Sequence, residues 1–233
     1  MAIALKGSTS QITAASTTED IALPGTPATN DIIIVALALD SAAGSGWVNT
    51  SGYASLHIVA GLPEYEVYWK RMGATPDTVV NVTAGSASRK MATVVQTWSG
   101  VDTTTAIDAT ATTASGASGD PDPPAYTNVT ANAMRIIVGG LDDDSTNDYA
   151  APSGYSNLIE EDTEASANQG ATVMMASKLE TGTTSDDPAV FSGSGDDEWV
   201  ATHFALRPVA GGGGTWPHNP FGHPLIGPFG GPM

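Results

Sequence analysis

The feature that most constrains this chain is a stretch that it carries twice. Shifted by 102 positions, residues 31–56 lie on residues 133–158 without a gap. Ile34 then meets Ile136, Leu39 meets Leu141, Asp40 meets Asp142, and Ser51-Gly52-Tyr53 meets Ser153-Gly154-Tyr155. Trp47 and Tyr149 fall together as an aromatic pair. Each copy reads as an apolar run, an acidic polar loop, and a Ser-Gly-Tyr turn that starts another strand. The rest of the chain reads as two halves built around this unit.

The apolar run Ile32-Ile33-Ile34-Val35-Ala36-Leu37-Ala38-Leu39 is short and rich in β-branched residues, which favours a buried strand over a helix. From Glu64 the pattern alternates, with Tyr65, Val67 and Trp69 on one face and Glu66, Tyr68 and Lys70 on the other. Further strands are expected over residues 3–12, 78–84 and 91–98. In the second half the expected strands are 134–141, 171–179, 188–192 (answering 78–84) and 199–206. In the last of these, Val200, Phe204 and Leu206 face the core while Trp199 and His203 point away. Residues 103–124, low in complexity and rich in Thr, Ala, Ser, Gly, Asp and Pro, read as the crossover between the halves and have room for one edge strand. No window shows a 3.6-residue apolar period, so little helix is expected.

These observations predict an all-β fold: an antiparallel β-sandwich over residues 1–208, jelly-roll-like, from similar halves at about 1–102 and 125–208. Two separate small sandwiches compete with it, but each would have a meagre core. Residues 209–233 form an extended C-terminal arm rich in Gly and Pro, after the hinge-like run 211–214. Trp216, Phe221, Leu225, Ile226 and Phe229 are its apolar anchors, suited to insertion into a partner's pockets, and its prolines lower the cost of ordering.

Charge narrows the partners. Twenty-five acidic residues against eight basic ones give a net charge of −17, which repels nucleic acid and anionic membrane surfaces. There is no cysteine, which excludes disulfides, thiolate metal sites and Cys nucleophiles. No membrane span and no basic-apolar leader are visible, so a protein not exported by the standard signal is expected.

Catalytic patterns are lacking. The four histidines, His57, His203, His218 and His223, have no partner at metal-ligand spacing. Ser-Gly-Tyr is not the Gly-x-Ser-x-Gly elbow of hydrolases, and its recurrence at equivalent places argues for turn geometry. Acidic residues cluster at Asp142-Asp143-Asp144 with Asp148, at Asp196-Asp197-Glu198, and at Asp120 with Asp122. None matches a calcium loop of the helix–loop–helix type, and the stretch from Asp142 to Asp148 is the one singled out for a structural calcium ion. No other cofactor is expected, and neither catalytic nor metal residues are assigned. Trp47, Tyr149 and Trp199 are candidates for a sugar-stacking platform.

The strand Asp31-Ile32-Ile33-Ile34-Val35, the Ser-Gly-Tyr turns, Trp98-Ser99-Gly100-Val101-Asp102, and the closing Trp199-Val200-Ala201-Thr202 and Leu206-Arg207-Pro208 carry a resemblance. Over residues 20–208 the chain resembles β-sandwich domains of structural proteins of tailed bacteriophages and of related bacterial surface proteins. That resemblance implies a non-enzymatic virion component, made in the host cytoplasm and exposed on the particle surface as a capsid decoration or fibre protein. Its expected partners are other virion proteins of the capsid or tail and further copies of itself. The alternative is a carbohydrate-binding or receptor-binding module of a tail fibre, with a glycan as partner.

Overall fold

The computed structural model describes residues 2–40, 46–59, 63–86, 89–142, 148–163, 170–194 and 197–210. Its strands are β1 (Ala4–Thr13), β2 (Thr17–Ala22), β3 (Ile32–Leu39), β4 (Gly46–Val48), β5 (Ala54–Val59), β6 (Glu64–Arg71), β7 (Val79–Ala84) and β8 (Met91–Ser99). The chain continues with β9 (Thr112–Gly116), β10 (Tyr126–Thr127), β11 (Ala133–Leu141), β12 (Ser156–Asp162), β13 (Thr172–Glu180), β14 (Ser185–Asp186) and β15 (Trp199–Leu206). Among the described residues there is no helix.

Two five-stranded antiparallel sheets face each other, in the orders β1-β8-β3-β6-β5 and β9-β15-β11-β13-β12. Read in this direction the two orders are one arrangement repeated, and the registers agree. Ile32 pairs with Trp98 and Arg71, and its counterpart Met134 pairs with Leu206 and Leu179. At the other end Leu39 pairs with Met91 and Glu64, and Leu141 with Trp199 and Thr172. The duplication read from the sequence is therefore a duplication of sheets. The first half supplies one whole sheet, and the second half, with β9 from the crossover, supplies the other, whereas a jelly roll divides two Greek keys between both sheets. The expected sandwich is observed with this different wiring, and the crossover carries β9 as an edge strand.

The central strands are buried along their whole length, β3 wholly apolar and β11 apolar except for Arg135, because both of their faces are covered. Even-numbered residues of β3 and β11, Ile32, Ile34, Ala36 and Ala38 with Met134, Ile136 and Val138, meet between the sheets. Tyr65, Val67, Val94, Trp98, Val173, Met175, Val200, Phe204 and Leu206 join them. All eight side chains of β3 are fully buried. At about 1.5–3 kcal/mol for each large one, this strand contributes strongly to the core. Gly140 lets the sheets approach: a Cβ there would stand 2.5 Å from the Tyr65 ring, whose hydroxyl donates to the Val138 carbonyl at 3.2 Å.

The outer faces differ. Ile33, Val35, Leu37 and Leu39 are roofed by a three-stranded sheet, β2-β7-β4, through Ile21, Leu23, Val80 and Val82. Among the described residues of the second half, that roof survives only as isolated contacts. Ala150 bridges Ser192, and the Phe191 amide donates to the Pro121 carbonyl at 3.0 Å. The segment 188–192 expected to be a strand thus takes the place of β7 without forming one, since Pro188 lacks a donor and the bridge closes only at Ser192. In place of the strands, β10 and β14 pair as a short ladder over the second sheet.

Candidate functional site

The Ser-Gly-Tyr turns come first because they are common to both halves. Gly52 and Gly154 both have φ of +86°, a conformation that side chains with a Cβ rarely adopt. Each turn lays its tyrosine beside a lysine of the neighbouring long strand: Lys70 Nζ lies 5.3 Å from the Tyr53 ring centre, and Lys178 Nζ 5.6 Å from that of Tyr155. Each lysine is paired, Lys70 with Asp77 at 2.5 Å and Lys178 with Asp186 at 2.9 Å. The recurring turn is a structural clamp of Tyr, Lys and Asp, as its recurrence suggested. Sequence reasoning missed the lysine and the aspartate.

Only the second half builds on this clamp. Arg135 on β11 and His203 on β15 hold the outward positions that Ile33 and Val95 hold in the first sheet, and both are completely buried. Arg135 Nε and Nη2 donate to Asn128 Oδ1 at 3.2 and 2.6 Å, and Nη2 also donates to the Thr184 carbonyl. Its Nη1 lies 3.0 Å from Glu180 and 3.2 Å from Asp186. Asn128 is itself fixed by donating to the Thr130 and Gly182 carbonyls, both at 2.7 Å. A buried guanidinium without such partners would cost several kcal/mol.

His203 is bonded at both nitrogens. Nδ1 lies 2.9 Å from the Pro124 carbonyl, an acceptor only, so Nδ1 carries a hydrogen. Nε2 lies 3.1 Å from the Tyr155 hydroxyl, which also lies 2.8 Å from Asp186 Oδ2. While His203 is neutral, one hydroxyl hydrogen thus serves two acceptors. Burial, with Arg135 adding to it against the Pro124 bond, lowers the His203 pKa to about 4. Burial likewise raises the Tyr155 pKa, helped by Asp186. For Asp186 burial acts upward, but the bonds from Lys178 and Tyr155 and the charges of Lys178 and Arg135 hold its pKa below the usual range. The imidazole also lies 5.0 Å from the Tyr126 ring. Arg135 Nη1 is held by ion pairing alone, without a hydrogen bond, while the hydrogen bonds of Asn128, Tyr155, His203 and Asp186 tie β10 and β14 to the sheet. The outward direction expected for His203 agrees with this geometry.

The closing residues are pinned just as firmly. Arg207 Nε donates to the buried Asp108 carboxylate at 3.1 Å, and the Arg207 carbonyl accepts from the Asp102 amide at 2.8 Å. Val101 bridges Pro208, and the Val209 amide donates to the Gly100 carbonyl at 3.1 Å. Beside this exit lies an apolar groove of about 350 Å³ between Ile3, Leu179, Asn132 and Val209. The arm anchors Trp216, Phe221, Leu225, Ile226 and Phe229 lie outside the described residues, as do His218 and His223.

The other expected sites separate. Of the calcium candidates, Asp142 and Asp148 are described but the residues between 142 and 148 are not; Asp196 is likewise outside. Among the described residues no three His, Cys, Asp or Glu side chains gather as metal ligands. The three aromatics do not form one platform. Tyr149 is buried against Ile137 and Phe191, and Trp199 lies on Gly116 with its indole N–H donating to the Ser118 carbonyl at 3.2 Å. Trp47, on β4, is 40% exposed. A scan of protein-family models and searches of curated proteins and of solved structures found no match to this chain.

Proposed function

We propose that the chain is a non-enzymatic structural protein of a tailed-phage particle, exposed on the virion surface as a capsid decoration or fibre subunit. In this reading the sandwich is a rigid external module, and residues 209–233 attach it to capsid or tail proteins or to further copies of itself. The observation that carries it is the exit of the chain. Arg207, Pro208 and Val209 are each bonded back to the sandwich, so the 24 residues after Val209 start from a fixed point and carry five apolar anchors. The acidic composition supports an external module that stays soluble and does not self-associate through its surface.

The test is light scattering on size-exclusion eluates of residues 1–233 beside a chain ending at Ala210. A defined oligomer that becomes a monomer on truncation supports an arm that joins like subunits. If both chains are monomers, self-assembly through the arm is excluded, and the arm docks on a different protein or folds back on its own domain. The same oligomer from both would overturn the role given to the arm.

A second reading, a glycan-binding or receptor-binding module, is favoured by one observation: Trp47 lies exposed on a strand whose neighbours present short polar side chains.

A further inference from the structure

The outward face of the β2-β7-β4 sheet takes no part in the core. Alternation places Thr18 and Asp20 of β2, Asn81 and Thr83 of β7, and Trp47 and the adjoining Asn49 on this face, opposite the inward Ile21, Val80, Val82 and Val48. Register sorts them into two rows. Thr18, Thr83 and Trp47 lie side by side, and Asp20, Asn81 and Asn49 form the next row. At about 4.8 Å between strands and about 7 Å between alternate residues, the grid measures about 10 by 7 Å, the footprint of one or two sugar rings.

The grid is locked by its own hydrogen bonds. Trp47 Nε1 donates to Asn49 Oδ1, whose amide nitrogen donates to Asn81 Oδ1 at 2.8 Å and to Thr83 Oγ1. Asn81 Nδ2 donates to Asp20 Oδ1 at 2.7 Å, and the Thr18 and Thr83 hydroxyls share a hydrogen at 2.7 Å. This ladder leaves over the second Asn81 Nδ2 hydrogen and Asp20 Oδ2, a donor and an acceptor side by side. Asn and Asp are poorly suited to strands, and a purely solvated face would be served better by Thr alone.

We propose that this face binds a neutral carbohydrate. Of two adjacent sugar hydroxyls, one donates to Asp20 Oδ2 and the other accepts from Asn81 Nδ2, while the apolar C–H face of a ring lies on the Trp47 indole. The locked amides lose little freedom on binding, which favours affinity from so small a site. Asp20, on a chain with a net charge of −17, turns away uronic and sialic acids. The proposal rests on the glycan-binding reading and assigns it a site.

The test is affinity electrophoresis of the full chain through gels containing dextran, galactomannan, xylan or mixed-linkage β-glucan, with polygalacturonate as the acidic polymer. Retardation by at least one neutral polymer and none by polygalacturonate is expected. Trp47→Ala and Asn81→Ala should each weaken it at least tenfold, and Trp47→Tyr, which keeps a stacking ring, should retain most of it. Leu179→Ala, on the other sheet, should change nothing. Unchanged melting temperatures show that the variants are folded. No retardation by any neutral polymer overturns the glycan reading itself. Retardation that survives both Trp47→Ala and Asn81→Ala leaves that reading standing and overturns this face as its site.

Discussion

Acid should loosen this protein through His203. The imidazole is completely buried and its pKa falls from the usual 6.5 to about 4, chiefly through burial. The unfolded chain accepts a proton near pH 6.5 that the folded chain refuses until about pH 4. The stability contributed by a neutral buried imidazole is therefore fully present above 6.5 and is lost as pH falls through that interval. At about 1.4 kcal/mol per pH unit the whole loss is about 3 kcal/mol. For a chain of this length each kcal/mol moves the melting temperature by about 2–4 °C, so a drop of roughly 6–12 °C is expected on this account between pH 7.5 and pH 4. Two other groups act in the same range: His57, lowered by burial, adds to the loss, while Glu66, raised by burial, opposes it. The assay therefore compares melting curves of the native chain and His203→Gln at half-unit pH steps. The variant should be less stable at pH 7.5 and flatter with pH, so that the two curves converge toward pH 4. Curves that stay parallel over the whole interval would refute the assignment to His203.

Three further substitutions probe the two sheets. Gly140→Ala places a Cβ against the buried Tyr65 ring and should cost about 1–3 kcal/mol in urea unfolding; a loss below 0.5 kcal/mol would mean that the sheets part easily there. Arg135→Met leaves Glu180 and Asp186 without their shared cation and should cost about 3–5 kcal/mol, whereas Ile33→Met at the equivalent apolar position should cost less than about 1.5 kcal/mol. Equal losses from these two would refute a special role for the charged cluster.

How far the sequence could be read depended on how local each signal was. The duplicated run, the faces of β6 and β15 and the Ser-Gly-Tyr turns were legible because alternation and turn chemistry act over a few residues. The clamp lysines were hidden by a change of offset. The connection between β12 and β13 is longer than that between β5 and β6, so Lys70 meets Lys178 at a shift of 108, beyond the gapless match. Arg135 carried a faint signal, a lone cation within an apolar strand, but its partners Asn128, Glu180 and Asp186 come from three other segments. Tyr149 looked equivalent to Trp47, yet whether either is exposed depends on the roof above it. The strand β7 leaves Trp47 at the outer surface, whereas the irregular segment around Phe191 closes over Tyr149.

The comparison of the two halves also separates scaffold from specialisation. Features common to both, the central strands, the registers and the Tyr-Lys-Asp clamps, are those that any such sheet needs in order to form and pair. Departures lie on the outer faces, which the sandwich does not require to be alike. The first half spends its departure on a regular roof with a polar outer face, accepting Asp20 and Asn81 where strand formers would be more stable. The second spends it on a buried Arg135–His203 cluster that holds β10 and β14 in place and is closed to solvent at its centre. A cluster whose Arg135 and His203 are completely buried offers no surface to a ligand, whereas an exposed ladder with an unused donor and acceptor does. Within the described residues, the unused donor and acceptor lie on the first half, whereas the second half, with Arg207, Pro208 and Val209, holds the bonds that close the sandwich.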